Sequence, residues 1–375
     1  MAPAAPRRVL IVTETGDAWP SGRIRALGYR GRFAADGIDV TCAARSVPWL
    51  TRLIEQAPGV VHAGRPLGLV RALRALNRRL GVLRERRIVR LATRGFDAIY
   101  LQKVASAPLV RALRAVTSAR LVYDLNDAVW LPSRREFADG RIADILTSVD
   151  AISCDGPEGL RFARTYCSSL YTVPDPCQVE AFDERRPARR RGTTAPVIGW
   201  IGGPATLFNL FVAWEALERV CSRHPNAEVR LVGVGHNRLA LPPFEAVRPV
   251  FVPFYDQARM IDEVFRMDIG LFPMFDVEDS RIRGILKATV YMSGEACVLA
   301  SAVGQVPDLI ETGTNGLLAR SPDEWTRGLS DLVENADDRQ RLASAGLATV
   351  RRRFSLEHCY STLIEALSGG GDARA

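Results

Sequence analysis

The stretch RRVLIVTETGDAWPSGRIRALGYRGRFAADGIDVTCAA, residues 7–44, decides the fold. RRVLIVTE (7–14) is an apolar run of strand length, the pattern of a strand covered on both faces. TGDAWPSG is rich in turn formers. RIRALGYRGRFAADG (23–37) has helical periodicity and a glycine stop, and IDVTCAA (38–44) is strand-like again. Strand, loop, helix, strand is the sequence sign of a parallel sheet.

Working outward, AIYLQ (98–102), ARLVYDL (119–125), AISC (151–154) and LYTVP (170–174) read as further strands with helical patterns mostly between them. At 183–196 the text becomes DERRPARRRGTTAP, basic and apolar-poor, which reads as a linker. A second alternation follows. VIGWIGG (197–203) is a strand, 207–225 a helix, AEVRLVGVG (227–235) a strand and 258–268 a helix. IGLFPM (269–274), ACVLAS (296–301) and NGLLA (315–319) continue it, and the chain from 321 is almost wholly helical. The expected architecture is α/β, with two Rossmann-like domains at 1–185 and 197–353 and a linker at 186–196. Ligands of such sheets sit beyond the carboxyl ends of the strands, so the two rims are expected to face one another across a cleft.

The bulk properties agree. The chain has 375 residues, where about 150 is usual per domain. It is 47% hydrophobic with mean hydropathy near zero, enough to bury sizeable cores. No apolar run approaches the ~20 residues that span a bilayer, and MAPAAPRRVLIV has no signal segment, so a cytoplasmic protein is expected. Seven scattered cysteines without a CxxC pair argue against a disulfide framework and a zinc site. The four histidines show no ligand spacing, and no metal is expected. The net charge of +8 suits an acidic small molecule, a phosphate surface or an anionic membrane. No nucleic-acid-binding module accompanies the arginines, so nucleic acid is not an expected partner.

Chemistry concentrates in a few places. DSRIRGILKATVYMSG (279–294) reads as a helix whose opening turns carry Arg281, Arg283 and Lys287. Cations are the wrong sign for a helix N-terminus, and Arg283 and Lys287 repel at i,i+4. A bound anion would explain them; the alternative is that Arg281 and Arg283 are solvated and Lys287 snorkels along the helix. GWIGGP (199–204) is a strand running into a glycine turn, where Gly202, Gly203 and Thr206 would approach a phosphate or simply make a tight turn. VYDLNDAVW (122–130) sets Asp124, Asn126 and Asp127 at a strand end, suited to orienting hydroxyls or to ordinary turn chemistry. Ser21 and Arg23 stand at a helix start in a loop able to close over an acceptor. Residues 67–95 form a basic amphipathic helix with nine arginines from Arg71 to Arg94 and one acid, Glu85. That pattern suits a membrane or partner surface, or a solvated face packed on a sheet.

Taken together, these segments resemble the two-Rossmann-domain glycosyltransferases of the GT-B fold, family 4 type (glycosyl transferases group 1). SGRIRALGY, LVYDLNDAVW, PVIGWIGGPAT, MDIGLFPM, RIRGILKATVYMSG and VLASAVGQVPDLIETGTNGLLA resemble successive family segments, in order over most of the chain. The resemblance implies an enzyme moving a sugar from a nucleotide-diphospho-sugar to an acceptor hydroxyl, anomer-retaining and without a metal. It implies no cofactor beyond that co-substrate, and a terminal helix at 354–375 crossing back to the first domain. Lys287, Arg281 and Arg283 fall on basic family positions and would hold the diphosphate with Gly202, Gly203 and Thr206. Asp124 and Asp127 would be catalytic with Lys287, and Ser21, Arg23 and Asn126 would bind the acceptor. The absence of a membrane anchor suits a secondary metabolite or an oligosaccharide as acceptor, and the basic helix over 67–95 keeps open a lipid-linked sugar with peripheral contact at the inner membrane face. The chain also departs from the family. Ile282 and Val290 stand where many members carry two glutamates, Glu295 and Cys297 where a glycine and a proline are usual, and Asp308 where a glutamate is. A catalytically silent partner or regulatory protein on the same fold is the alternative.

Overall fold

The computed structural model describes residues 5–56, 67–127, 129–131, 141–177, 179–187, 195–234, 241, 245–253 and 256–370. The chain divides into two compact units, residues 1–176 with 356–375, and residues 177–355.

The first unit is built on a six-stranded parallel sheet of β1 (Arg8–Thr13), β2 (Asp39–Ala44), β3 (Ala98–Gln102), β4 (Arg120–Leu125), β5 (Ala151–Cys154) and β6 (Leu170–Thr172). Its order is β2-β1-β3-β4-β5-β6. The alternation of strand side chains explains why β1 is apolar throughout. Leu10 and Val12 pack with Ile88, Val110 and Leu113 on one face, whereas Val9 and Ile11 pack with Tyr29, Phe33, Tyr360 and Leu363 on the other. The helix Leu356–Ser368 thus closes a core begun by the opening strand.

The second unit has its own parallel sheet of β7 (Val197–Ile201), β8 (Glu228–Val232), β9 (Pro249–Val252), β10 (Ile269–Phe272), β11 (Cys297–Ser301) and β12 (Leu317–Ala319). Its order is β12-β11-β10-β7-β8-β9, so the chain reverses direction across the sheet between β7 and β10. In the first sheet the reversal lies between β1 and β3. Loops leaving the carboxyl ends at those two points are where a parallel sheet takes its ligand.

Several expected elements are cut differently. The helical pattern at 23–37 is Pro20–Arg25, a 3-10 turn at Leu27–Tyr29 and Arg30–Ala35. The 207–225 pattern opens as a 3-10 helix, Pro204–Val212, before Trp214–Arg223. β9 was not expected; it is an edge strand beginning on a proline, whose missing donor an edge tolerates. The first boundary falls at 176/177 instead of 185, because Val179 and Phe182 pack with Ile261, Val264 and Tyr291 of the second unit. Of the expected linker, residues 188–194 lie outside the described residues.

Candidate functional site

The expected helix over 279–294 is broken. A four-residue helix, Glu278–Arg281, ends before Gly284, and a second, Leu286–Ser293, begins after it. Arg281 therefore sits in a last turn, where a cation is the favoured sign. Arg281 Nε donates to Asp276 at 2.6 Å, and Arg283 Nε donates to Asp279 at 2.8 Å. Both guanidiniums expected to meet a diphosphate thus have carboxylate partners, acids that the short helix brings within reach.

Lys287 differs. It lies on the first turn of Leu286–Ser293, with Nζ 4.4 Å from the Trp200 ring centroid and 5.6 Å from that of Phe272. No ion pair to it occurs among the described residues. The residue is half-buried, and desolvation, with the Arg283 charge adding to it, pushes the amine down to about 7.

Trp200 ties this lysine to the glycine turn after β7. A Cβ on Gly202 would meet the Trp200 ring at 2.5 Å and Thr206 Oγ1 at 2.8 Å, so only glycine lets the turn lie on the indole. Gly203 faces open space and caps the helix Pro204–Val212 in extended conformation. Thr206 Oγ1 donates to the Gly203 carbonyl at 3.2 Å, which commits its proton to the turn. Gly202 N–H donates to Val232, so of the two glycines Gly203 is the one facing outward. The neighbouring β10 exit is fastened by Met274 N–H to Ser301 Oγ at 2.9 Å and Phe275 N–H to Asn209 Oδ1 at 3.3 Å. After β11, Gly304 lies at φ 58°, and a Cβ there would stand 2.4 Å from the Arg281 carbonyl. The structure therefore gathers Gly202, Gly203, Thr206 and Lys287 around one indole at the reversal point of the second sheet, with the loops holding Arg281 close by.

In the first unit the strand ends supply a polar cluster. Asp124, expected to orient hydroxyls, is fully buried and committed elsewhere. It accepts from Arg25 Nε at 2.8 Å, Arg25 Nη2 at 2.6 Å and Ser153 Oγ at 2.9 Å, while Arg25 Nη1 donates to Asp175 at 2.8 Å. Three residues on, the chain turns outward. Asp127 pairs with Lys103, which follows β3 directly, and the ammonium lies 5.5 Å from the Trp19 ring centroid. Trp19 and Lys103 so bracket the β1/β3 reversal point. Asn126 is buried; its Nδ2 donates to Asp155 at 3.1 Å and its Oδ1 has no partner among the described residues. Gln102 Nε2 is likewise buried and unpartnered. Burial pushes the Asp155 carboxyl up to about 7, against the pull of Arg25. Ser21 and Arg23 lie on Pro20–Arg25; Ser21 is half-buried, and Arg23 is exposed and donates to the Asp17 carbonyl at 2.7 Å.

Sequence reasoning missed Arg25, Gln102, Lys103, Asp155 and Trp200. Arg25 ends the helix Pro20–Arg25, while the others stand at or near strand ends, and a rule collecting every polar residue there would have found Gln102, Lys103 and Asp155. Among the described residues no group of three His, Cys, Asp or Glu is arranged to hold a metal ion.

Residues 195–335 match the family model described as glycosyl transferases group 1. No curated protein sequence matches significantly. Among solved structures, HepE of Anabaena in complex with UDP and glucose is 14% identical, covering 97% of this chain and 100% of its own, with a TM-score of 0.63. Sucrose-phosphate synthase from Thermosynechococcus elongatus is 16% identical over 95% and 97%, with a TM-score of 0.61. A UDP-forming α,α-trehalose-phosphate synthase from Burkholderia vietnamiensis is 11% identical over 96% and 100%, with a TM-score of 0.63. At such identity the likeness speaks for the fold.

Proposed function

We propose that this chain, GT-B in fold and a glycosyl transferases group 1 domain over residues 195–335, moves a sugar from a nucleotide-diphospho-sugar to an acceptor hydroxyl. The observation that carries the reading is Lys287, a half-buried amine with no ion pair among the described residues, set on Trp200 beside the glycine turn. A diphosphate there supplies the missing charge. As the sugar leaves, charge builds on the outer phosphate, and Lys287 stabilises it more in the transition state than in the ground state. Gly203 lets the backbone come close, and Arg281 and Arg283 exchange Asp276 and Asp279 for phosphate oxygens, a fork geometry that guanidinium provides.

In the first unit, Lys103, Asp127, Asn126 and Gln102 orient the acceptor, with Trp19 as a platform. Asp124 acts one step removed, by fixing Arg25. Retention of the anomeric configuration, and charge stabilisation by these cations in place of a metal, complete the reading; both rest on family resemblance. The acceptor is a hydroxyl-bearing metabolite, oligosaccharide or lipid-linked sugar.

Calorimetry of UDP, GDP and dTDP with the wild type and Lys287→Ala tests the donor site. One nucleotide bound by the wild type and lost in a folded Lys287→Ala supports it. Absence of binding by all three at millimolar concentration overturns it. A second reading has its own observation: Ile282 is buried and Val290 packs on the core, so no carboxylate stands there to hold a donor ribose. Nucleotide binding without turnover over a panel of donors and acceptors favours that catalytically silent form.

A further inference from the structure

The helix Leu67–Ala92, 26 residues and about 39 Å long, packs by one stripe only. Val70, Leu73 and Leu80 meet Val47, Leu50 and Ile54 of the helix Pro48–Gln56, while Asn77 Oδ1 accepts from Val47 N–H at 3.0 Å. Further along, Arg84 donates to the Ala44 carbonyl, Glu85 takes Arg45, and Ile88 enters the sheet core. Val89 and Ala92 pack on the same core and Gly81 is buried; most of the remaining helix surface faces out. Arg71, Arg74, Arg78, Arg79, Arg86, Arg87 and Arg90 are exposed, and the helix has no second acid to answer them. Arg74 with Arg78 and Arg86 with Arg90 stand at i,i+4, each a repelling pair in the free protein.

The same face exposes large apolar side chains. Leu76, Val82 and Leu83 are 45%, 52% and 58% exposed, and Leu76, Arg79, Leu83, Arg86 and Arg90 follow one another at i+3 or i+4. On the neighbouring helix Trp49 and Leu53, one turn apart, are 62% and 48% exposed. Guanidiniums alone would suit any polyanion. Leucine, valine and tryptophan interleaved with them suit a boundary that is anionic outside and hydrocarbon within.

We propose that the outer face of Leu67–Ala92, with Trp49 and Leu53 beside it, docks on a membrane surface of anionic lipid headgroups. The arginines take headgroup phosphates and the apolar side chains enter the acyl boundary. The proposal is independent of the sugar-transfer reading, since none of these residues belongs to either polar cluster described above.

Sedimentation of the full chain with phosphatidylcholine vesicles, and with vesicles holding about 30% phosphatidylglycerol, tests it. The expected result is capture by the anionic vesicles only, weakened by salt. Arg79→Gln/Arg86→Gln/Arg90→Gln is expected to lower the partition about a hundredfold, at roughly fivefold per cation. Leu76→Ser/Leu83→Ser is expected to lower it while leaving the salt dependence in place. Unchanged thermal unfolding of both variants shows that they are folded. Full-length protein left in the supernatant at low salt overturns the proposal, as does capture by tRNA in place of vesicles. Equal vesicle binding by the arginine variant overturns this face as the docking surface.

Discussion

Lys103 and Asp127 pair with one another while both backbones lie in the left-handed region, at φ 54° and 60°. Neither residue is a glycine, and such conformations cost of order 1 kcal/mol or more each. Strain held on two neighbouring strand ends is the mark of a position kept for its side chain. Lys103→Gly and Asp127→Gly are therefore expected to leave unfolding free energy within about 1 kcal/mol of wild type, since relieved strain offsets the lost pair. Transfer activity is expected to fall sharply in both. Urea unfolding beside a steady-state assay reads the two effects; full activity in either variant removes that residue from the site.

Arg25 and Asp124 are both buried, and breaking such a pair by removing one partner costs roughly 3–5 kcal/mol. Asp124→Ala is expected to lose stability on that scale, and Arg25→Met/Asp124→Leu to recover part of it. Chemical denaturation of the three proteins decides. A stable but inactive Asp124→Ala would return that carboxylate to the catalytic group.

Lys287 gives a pH dependence with a definite sign. Unfolded, the amine keeps its proton to about 10.5; folded, only to about 7. Between those values the unfolded chain binds more protons, so this group makes stability rise with pH across the window and withdraws that gain as pH falls through 7. A bound diphosphate favours the charged amine, so nucleotide binding near pH ~8 is expected to take up close to one proton. Calorimetry in buffers of differing ionisation enthalpy measures the uptake. Zero uptake by a wild type that binds would place the diphosphate away from Lys287.

Gly202 and Gly203 separate packing from ligand approach. Gly202→Ala drives a methyl into the Trp200 ring and is expected to lose stability and nucleotide binding together. Gly203→Ala meets nothing and sits at φ −93°, so the fold is expected to be untouched. Binding is expected to weaken about tenfold or more, because the added methyl occupies the space a phosphate would take. Thermal unfolding and calorimetry of the pair test this, and wild-type affinity in Gly203→Ala would show that no phosphate lies there.

What the sequence disclosed, and what it hid, follows from distance along the chain. Strand runs such as VLIV and VIGWI declare themselves through local pattern, and eleven of the twelve strands among the described residues fall inside stretches read from the sequence. The edge strand Pro249–Val252 is short, opens on proline and carries no such pattern. Pairings were the harder matter. Arg25 and Asp124 are 99 positions apart, and nothing near Arg25 distinguishes it from Arg23, the neighbour that reads as the functional one. Lys103 looks like a loop lysine until β4 sets Asp127 beside it. In 279–294 the residue types were legible and their geometry was not: Gly284 breaks the helix, which turns two unexplained arginines into paired ones and leaves Lys287 as the residue to explain.

Because Tyr360 and Leu363 complete a core that Val9 and Ile11 begin, the first unit stays open during synthesis until residues 356–368 have left the ribosome. The second unit, continuous over 177–355, has all its strands before that moment. The order of maturation therefore inverts the order of translation. Until the closing helix arrives, the bare face of Tyr29 and Phe33 is a surface for chaperones to guard, and a nascent chain stalled short of residue 356 exposes it indefinitely.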